Sequence, residues 1–380
     1  HRTEWRDPRG FIVPADQPDF PTAVKFINAL IKAGIAVQRA TAEFAVAGHR
    51  YPAGSFVVKT DQAFRPHVLD MFEPQDHPND FKTEGGPPTR PYDELAGWTL
   101  AFEMGVKFDR VLDDFTGPFE KLPYGALQLP PIAPLPAQGA GFVVRHALND
   151  SFVLLNRLLQ KDADVFWLKN AGELGRGAIY VPDRGPAQAI VARTAVELGL
   201  DVHVAATPPK GEAMKLSPVR IALWDCFGGS IPAGWTRWAL EQFEFPFEVV
   251  YTSDIDAGKL REKFDAIIFV NGAIPAPGAR SFIEVRPRRL PPQYENEFGP
   301  LTAERSVPAL RDFVQQGGTV VTIGSSTALA FHLGLPVKNA WTEKIAGQLE
   351  RPLPAEKFYV PGSVLEARID VDEPLAWGMS

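Results

Sequence analysis

Apolar positions along the chain fall into short runs separated by proline and glycine, and the spacing inside each run changes in a regular order. From Gly10 the stretch GFIVPADQPDFPTAVKFINALIKAGIAVQRA gives an apolar tetrad, a Pro-bounded turn, then Val24, Ile27, Leu30 and Ile31 at helical spacing, then a second apolar run. This predicts strand, helix, strand, with Gly34 ending the helix. FAVAGHRYPAGSFVV predicts a hairpin that turns at Ala-Gly-His-Arg. Residues 73–93, EPQDHPNDFKTEGGPPTRPYD, have no period and predict a long polar loop. Residues 122–141, LPYGALQLPPIAPLPAQGAG, carry five prolines and no charge and read as a linker of partly polyproline character.

After the linker the pattern starts again. GFVVRHALNDSFVLLNRLLQKDADVFWLK repeats strand, helix, strand. Gly10–Val13 matches Gly141–Val144, the helix at 21–33 matches one at 150–160, and Gly54–Val58 matches Gly177–Val181. Similarity in a fixed order predicts two related α/β units, with two unrelated β-α-β units of generic pattern as the alternative. PAQAIVARTAVELGL, a helix, and DVHVA, a strand, close the second unit.

A third unit begins near Val219. RIALW, FEVVY, AIIFV and GTVVTIG are short, almost wholly apolar and rich in β-branched residues, and helical stretches at 233–243, 257–263 and 306–316 separate them. Strands buried on both faces and alternating with helices predict a doubly wound parallel sheet. The expected organisation is α/β throughout: residues 1–121 a first unit, 122–141 the linker, 142–212 a second unit and 213–380 the parallel-sheet domain. Ligands of such sheets sit at the carboxyl ends of the strands. Those ends carry Asp225, Asn271, Gly272, Gly324, Ser325 and Ser326, the expected lining of a pocket for a small anion or peptide.

Composition narrows the partners. The 380 residues exceed what one hydrophobic core supports, and 45% apolar with 22% charged residues describes a folded chain. With 39 basic against 46 acidic residues the net charge is -7, which disfavours nucleic acid and anionic lipid. No apolar run reaches the roughly 18 residues of a membrane span. Cys226 is the single cysteine, so an intramolecular disulfide and a cysteine-rich metal site are excluded.

Several constellations could carry chemistry. DAIIFVNG at 265–272, taken with GGTVVTIGSSTALA at 317–330, resembles the core of class I glutamine amidotransferase-like domains, a flavodoxin-like arrangement. In that family the turn after the second strand presents a nucleophilic cysteine, and the turn after the first supplies oxyanion donors. Gly324 falls at the cysteine position. Ser325 and Ser326 are the weak alternatives, and a serine there needs a base. The last histidine, His332, lies on the same helix, and none follows it. Trp224, Trp235 and Trp238 with Phe243, Phe245 and Phe247 suggest either an aromatic platform or ordinary helix-on-sheet packing. His67 and His77, with Asp70, Glu73 and Asp76, are weak candidates for a metal site, and polar loop bonding is the preferred reading. His1 with Glu4 is taken as coincidence. Arg280, Arg286, Arg288 and Arg289 form a basic stretch suited to an anion clamp or to a solvated lid.

Over most of its length the chain also resembles the region downstream of the catalytic domain in bacterial carboxypeptidase A-type zinc metallopeptidase-like proteins. The phrases that carry the resemblance are DPRGFIVPADQPDFPTAVKFINAL, AGHRYPAGSFVVKTDQAFRPHVLDMFEPQDHPNDF, WTLAFEMGVKFDRVLD, NDSFVLLNRLL and WTRWALEQFEFPFEVVY. The resemblance implies that the zinc and its ligands belong to a preceding domain absent from this chain. It implies no cofactor here, a periplasmic or extracellular setting, and the peptidase domain as partner. DVDEPLAWGMS stops where a doubly wound domain adds another strand, so the chain is expected to be a fragment. The expected role is a non-catalytic scaffold. The alternatives are a hydrolase or amidase using a serine at the strand-end turn, and a peptide- or glycan-binding module.

Overall fold

The structure is a computed structural model that describes residues 6–74, 82–84, 86, 88–89, 98–131, 139–279, 290–345, 349–360 and 364–379. His77 and Arg280, Arg286, Arg288 and Arg289 lie outside the described residues, as do His1 and Glu4. The chain divides into two compact units. His1–Leu154, Ala163–Lys215 and Trp341–Ser380 form the first, and Leu155–Asp162 with Leu216–Ala340 form the second. Among the described residues no helix is long and apolar enough to cross a membrane.

The first unit holds two five-stranded sheets. One is built from β1 (Gly10–Val13), α1 (Phe20–Lys32), β2 (Gln38–Ala40), β3 (Phe44–Val46), β4 (His49–Tyr51), β5 (Phe56–Lys59), α2 (Arg65–Phe72), α3 (Leu100–Glu103), β6 (Asp109–Val111) and β7 (Phe119–Lys121). Its strand order is β6-β1-β5-β2-β7, with β3 and β4 pairing as a separate hairpin. The other comes from β8 (Gly141–Val144), the start of α4 (Ser151–Leu159, of which Leu155 onward counts with the second unit), β9 (Phe166–Leu168), β10 (Ala178–Pro182), α5 (Ala187–Leu198), β11 (Val202–Ala205) and β12 (Ala213–Lys215). Its order is β11-β8-β10-β9-β12.

The two orders are the same once β8 is set against β1. In each, the first strand is antiparallel to both neighbours: β1 to β5 and β6, β8 to β10 and β11. The strands joined by the first helix therefore run the same way with a third, antiparallel strand between them, a split β-α-β arrangement. Register agrees too, since Gly10 faces Lys59 and Gly141 faces Pro182.

Both faces of the first sheet are covered, which is why β1 reads as an unbroken apolar run. Phe11 and Val13 pack beneath α1 with Phe26, Ile27 and Leu30, and Phe72 of α2 stacks on Phe11 at 4.3 Å. Ile12, Val57 and Val111 face Phe44, Tyr51 and Phe115 on the other side. Asp19 starts α1 by accepting from Thr22 N at 3.1 Å and from Thr22 Oγ1 at 2.8 Å. Its Oδ2 also accepts from Asn149 N at 3.0 Å, while Lys25 of α1 pairs with the buried Asp150 at 2.5 Å. Each helix start thus contributes an acidic residue to a bond with the other half.

The second unit is an open parallel sheet of order β14-β13-β15-β16. Its elements are β13 (Ile221–Trp224), α6 (Ile231–Gln242), β14 (Phe247–Val250), α7 (Thr252–Asp256), α8 (Leu260–Lys263), β15 (Ala266–Phe269), α9 (Ser306–Gln315), β16 (Thr319–Thr322) and α10 (Leu329–Leu333). All its strand pairs are parallel. Trp224, Ile267, Phe269, Leu310 and Phe313 fill its core. The chain steps outward from β13 to β14, then crosses back past β13 to β15, so the order reverses between β13 and β15. The parallel sheet ends at β16. The later strands β17 (Thr342–Ile345) and β18 (Leu349–Pro352) pair with each other as an antiparallel hairpin in the first unit.

Candidate functional site

The sequence places its candidate pocket residues at the carboxyl ends of β13, β15 and β16, and there the structure puts them. What it adds is that they spend their polar groups on one another and on nearby backbone. Asp225 Oδ1 accepts from Cys226 N at 2.8 Å and Ser230 N at 3.0 Å, closing the turn into α6, where Ser230 Oγ accepts from Ala233 N. Asn271 Oδ1 accepts from Ser325 N at 2.9 Å, and Ser325 Oγ accepts from Gly272 N at 2.9 Å. The turns after β15 and β16 are therefore laced together through Asn271 and Ser325.

Gly324 stands at the head of this turn with φ +59. A Cβ there would lie 2.5 Å from Asn271 Oδ1 and 2.9 Å from its Cγ. A side chain at this position would strain the left-handed backbone and would require Asn271 to move.

The two serines beyond it differ sharply. Ser326 is fully buried, and its hydroxyl accepts from Ile274 N at 3.0 Å and donates to Val270 O at 2.5 Å. Ser325 is exposed. Among the described residues, no hydrogen bond joins its Oγ to a histidine, lysine or carboxylate. His332 turns instead to Pro275, with Nε2 2.9 Å from the carbonyl oxygen, so Nε2 carries the proton it donates and offers no lone pair to a serine. Cys226 is buried, and burial first, then the charge of Asp225, push its thiol above the ordinary range.

The expected anion seat at the start of the helix meets donors already in use. Ser325 N binds Asn271, Ser326 N reaches Ile323 O at 3.3 Å, and the turn Gly324–Ala328 is a 3-10 helix leading into five-residue α10. A cavity of about 300 Å³ opens elsewhere on this unit. Ile274, Pro275, Leu301, Val307, Leu310 and His332 shape it, and none of the six expected pocket residues lines it.

The aromatic platform also comes apart. Trp224 is a core residue at 0% exposure whose Nε1 donates to Thr252 Oγ1 at 3.3 Å. Trp235 and Trp238 do share a face of α6, edge to face at 6.0 Å, and both are exposed. His67 sits on α2, half-buried, and the described residues around it contain no group of three or more His, Cys, Asp or Glu that could hold a metal.

Comparison with family models, with curated proteins and with solved structures finds no match to this chain.

Proposed function

We propose that this chain is a non-catalytic supporting region of a carboxypeptidase A-type zinc metallopeptidase-like protein, acting on the peptidase domain of the same parent chain. In this reading the parallel-sheet unit is an amidotransferase-like, flavodoxin-like domain whose strand-to-helix turn has become a structural lock. One observation carries it: at Gly324 a Cβ would meet Asn271 Oδ1 at 2.5 Å, so the nucleophile position is filled by a neighbour's amide. Ser325 and Ser326, the remaining candidates, hold the turn after β15 through Gly272 N and Ile274 N. A serine used as a backbone clasp, without a base, has no route to an alkoxide at neutral pH. The zinc that the resemblance implies belongs to the preceding domain, and so does the periplasmic or extracellular setting.

Two measurements test the proposal. Treatment of the full chain with a fluorophosphonate should leave its mass unchanged; a stoichiometric adduct lost in Ser325→Ala would assign a hydrolase instead. Reading the coding sequence ahead of His1 tests the parent. A domain with H-x-x-E and a later histidine is required there, and a gene without one overturns the supporting role.

A further inference from the structure

His146 lies two residues past the end of β8 and is 8% exposed, and its Nδ1 has no hydrogen-bond partner. Aromatic and backbone groups box it in. Trp167 of β9 stacks on the ring at 4.9 Å and Phe152 of α4 tilts against it at 5.2 Å. Gly177 presses on the orphaned nitrogen, for a Cβ there would fall 2.3 Å from Nδ1 and 2.8 Å from Trp377 Cβ. Gly378 closes the box, since a Cβ on it would lie 3.0 Å from His146 Cγ. Two of these walls, Trp377 and Gly378, come from the C-terminal segment. That segment is tied down again where Asp372 pairs with Arg176, next to Gly177, and it is braced internally where Trp377 Nε1 donates to Asp372 O at 3.3 Å.

The first half of the unit has no such box. Ala15 stands where His146 does, opposite Gly54, whose added Cβ would make an ordinary 3.7 Å contact. The histidine and its lid are additions to one copy of a shared architecture.

We infer that the segment from Asp372 to Met379 is a pH-sensitive latch, seated over the neutral ring of His146 and released when that ring takes up a proton. An imidazolium must place an N–H at Nδ1. There it would face Gly177 and the Trp377 side chain with no acceptor, a cost the seated state cannot relieve without moving the segment.

The charges on the surrounding elements are Arg145 beside the histidine, Asp150 at the head of α4 held by Lys25, and Lys169 after β9 held by Glu212. Arg176 and Asp372 pair with each other, Glu373 lies on the latch, and His203 on neighbouring β11 stands 3.1 Å from Asp201. His203 is the other histidine among these groups. Burial alone holds the His146 ring below its ordinary value. The seated ring thus has the lower pKa. Latch stability is complete above the free ring's value of about 6.5, falls about tenfold per pH unit below that value, and levels off once the seated ring itself takes up a proton.

Hydrogen exchange on the full chain reads the latch directly, as protection factors for residues 364–379 at pH 7.5 and 5.0. Protection is expected to fall about tenfold or more on acidification in the natural sequence and in His203→Gln, and to stay constant in His146→Phe. Unchanged protection in the natural sequence, or an equal fall in His146→Phe, overturns the inference. Should His146→Phe fail to fold, the proton resonances of His146 in the natural sequence decide it. A ring titrating at about 6.5 or above overturns the latch, and one titrating lower, in step with loss of Trp377 protection, supports it.

Discussion

Gly10 and Gly141 occupy one position in two sheets of the same strand order, and neither leaves room for a side chain. A Cβ on Gly10 would lie 2.9 Å from Val58 O and 3.1 Å from Phe115 Cζ; on Gly141 it would lie 2.5 Å from Val181 O and 2.6 Å from Tyr180 Cε2. In both, the obstacle is the carbonyl of the neighbouring antiparallel strand with an aromatic ring behind it. The backbone oxygen cannot step aside without disturbing the ladder that holds β1 to β5 or β8 to β10. Gly10→Ala and Gly141→Ala should both destabilise, by about 1–3 kcal/mol, with Gly141→Ala the worse. Urea melts of the two variants give the order, and a neutral Gly141→Ala would contradict it.

The serines of the second unit should separate in the same kind of experiment. Ser326→Ala strands the buried Ile274 N–H, while Val270 O keeps its bond from Ala273 N at 3.2 Å, and should cost about 1–2 kcal/mol. Ser325→Ala frees Gly272 N beside an exposed side chain, where water replaces the lost acceptor, so its melt should shift little.

Putting a nucleophile back at the turn should fail for a reason the double variant exposes. Gly324→Cys carries about 1–2 kcal/mol from its positive φ in addition to the overlap with Asn271. In an Asn271→Ala background the clashes with Oδ1 and Cγ disappear, while a tight 3.0 Å contact with the residue 271 Cβ and the φ cost remain. Gly324→Cys should therefore be less damaging there than alone, as a double-mutant cycle of denaturation midpoints would record.

Acid should loosen the second unit through Asp265. Arg220 donates to it from N, Nε and an NH2 group, and Arg261 from NH1, at 2.5 to 3.0 Å. The hydrogen bonds from Arg220, ahead of the opposing effect of burial, hold this carboxyl well below the usual carboxylate range. The folded pKa is the lower one, so the contribution is complete above the unfolded value of about 3.9 and is lost as pH falls through the folded one. Asp265→Asn should cost about 1 kcal/mol at pH 7 and flatten the acid limb of the stability curve. Parallel acid limbs for the two proteins would show that Asp265 is not its source.

Strand, helix and duplication were legible because they rest on local pattern. The matches between Gly10–Val13 and Gly141–Val144, and between Gly54–Val58 and Gly177–Val181, fall on equivalent strands or their approaches in both sheets. Neighbourhood was not legible. A strand-helix-strand run does not say that β5 will slip between β1 and β2, because that pairing is made by residues far along the chain. At the parallel sheet the strand-end residues were foreseeable from topology. Their mutual hydrogen bonding was not, since Asn271 and Ser325 meet only when two turns 54 positions apart are brought together. Of the predicted helix at 257–263 only Leu260–Lys263, α8, is helical, after Lys259 at φ +52, and the pattern did not mark α7 ahead of it. His146 belongs to no motif, and the one sequence signal for it was the comparison of the two halves, where it replaces Ala15.

The box around His146 also fixes an order of events on the ribosome. Its ring, Phe152, Trp167 and Gly177 emerge close together, but Trp377 and Gly378 are made about 230 residues after the histidine. At synthesis rates of about 5–20 residues per second, the nascent second sheet spends on the order of ten to fifty seconds with its histidine side uncovered. During that interval Trp167 and Phe152 are open apolar surface, available to a chaperone or to a neighbouring nascent chain, until residues about 230 positions further along withdraw them.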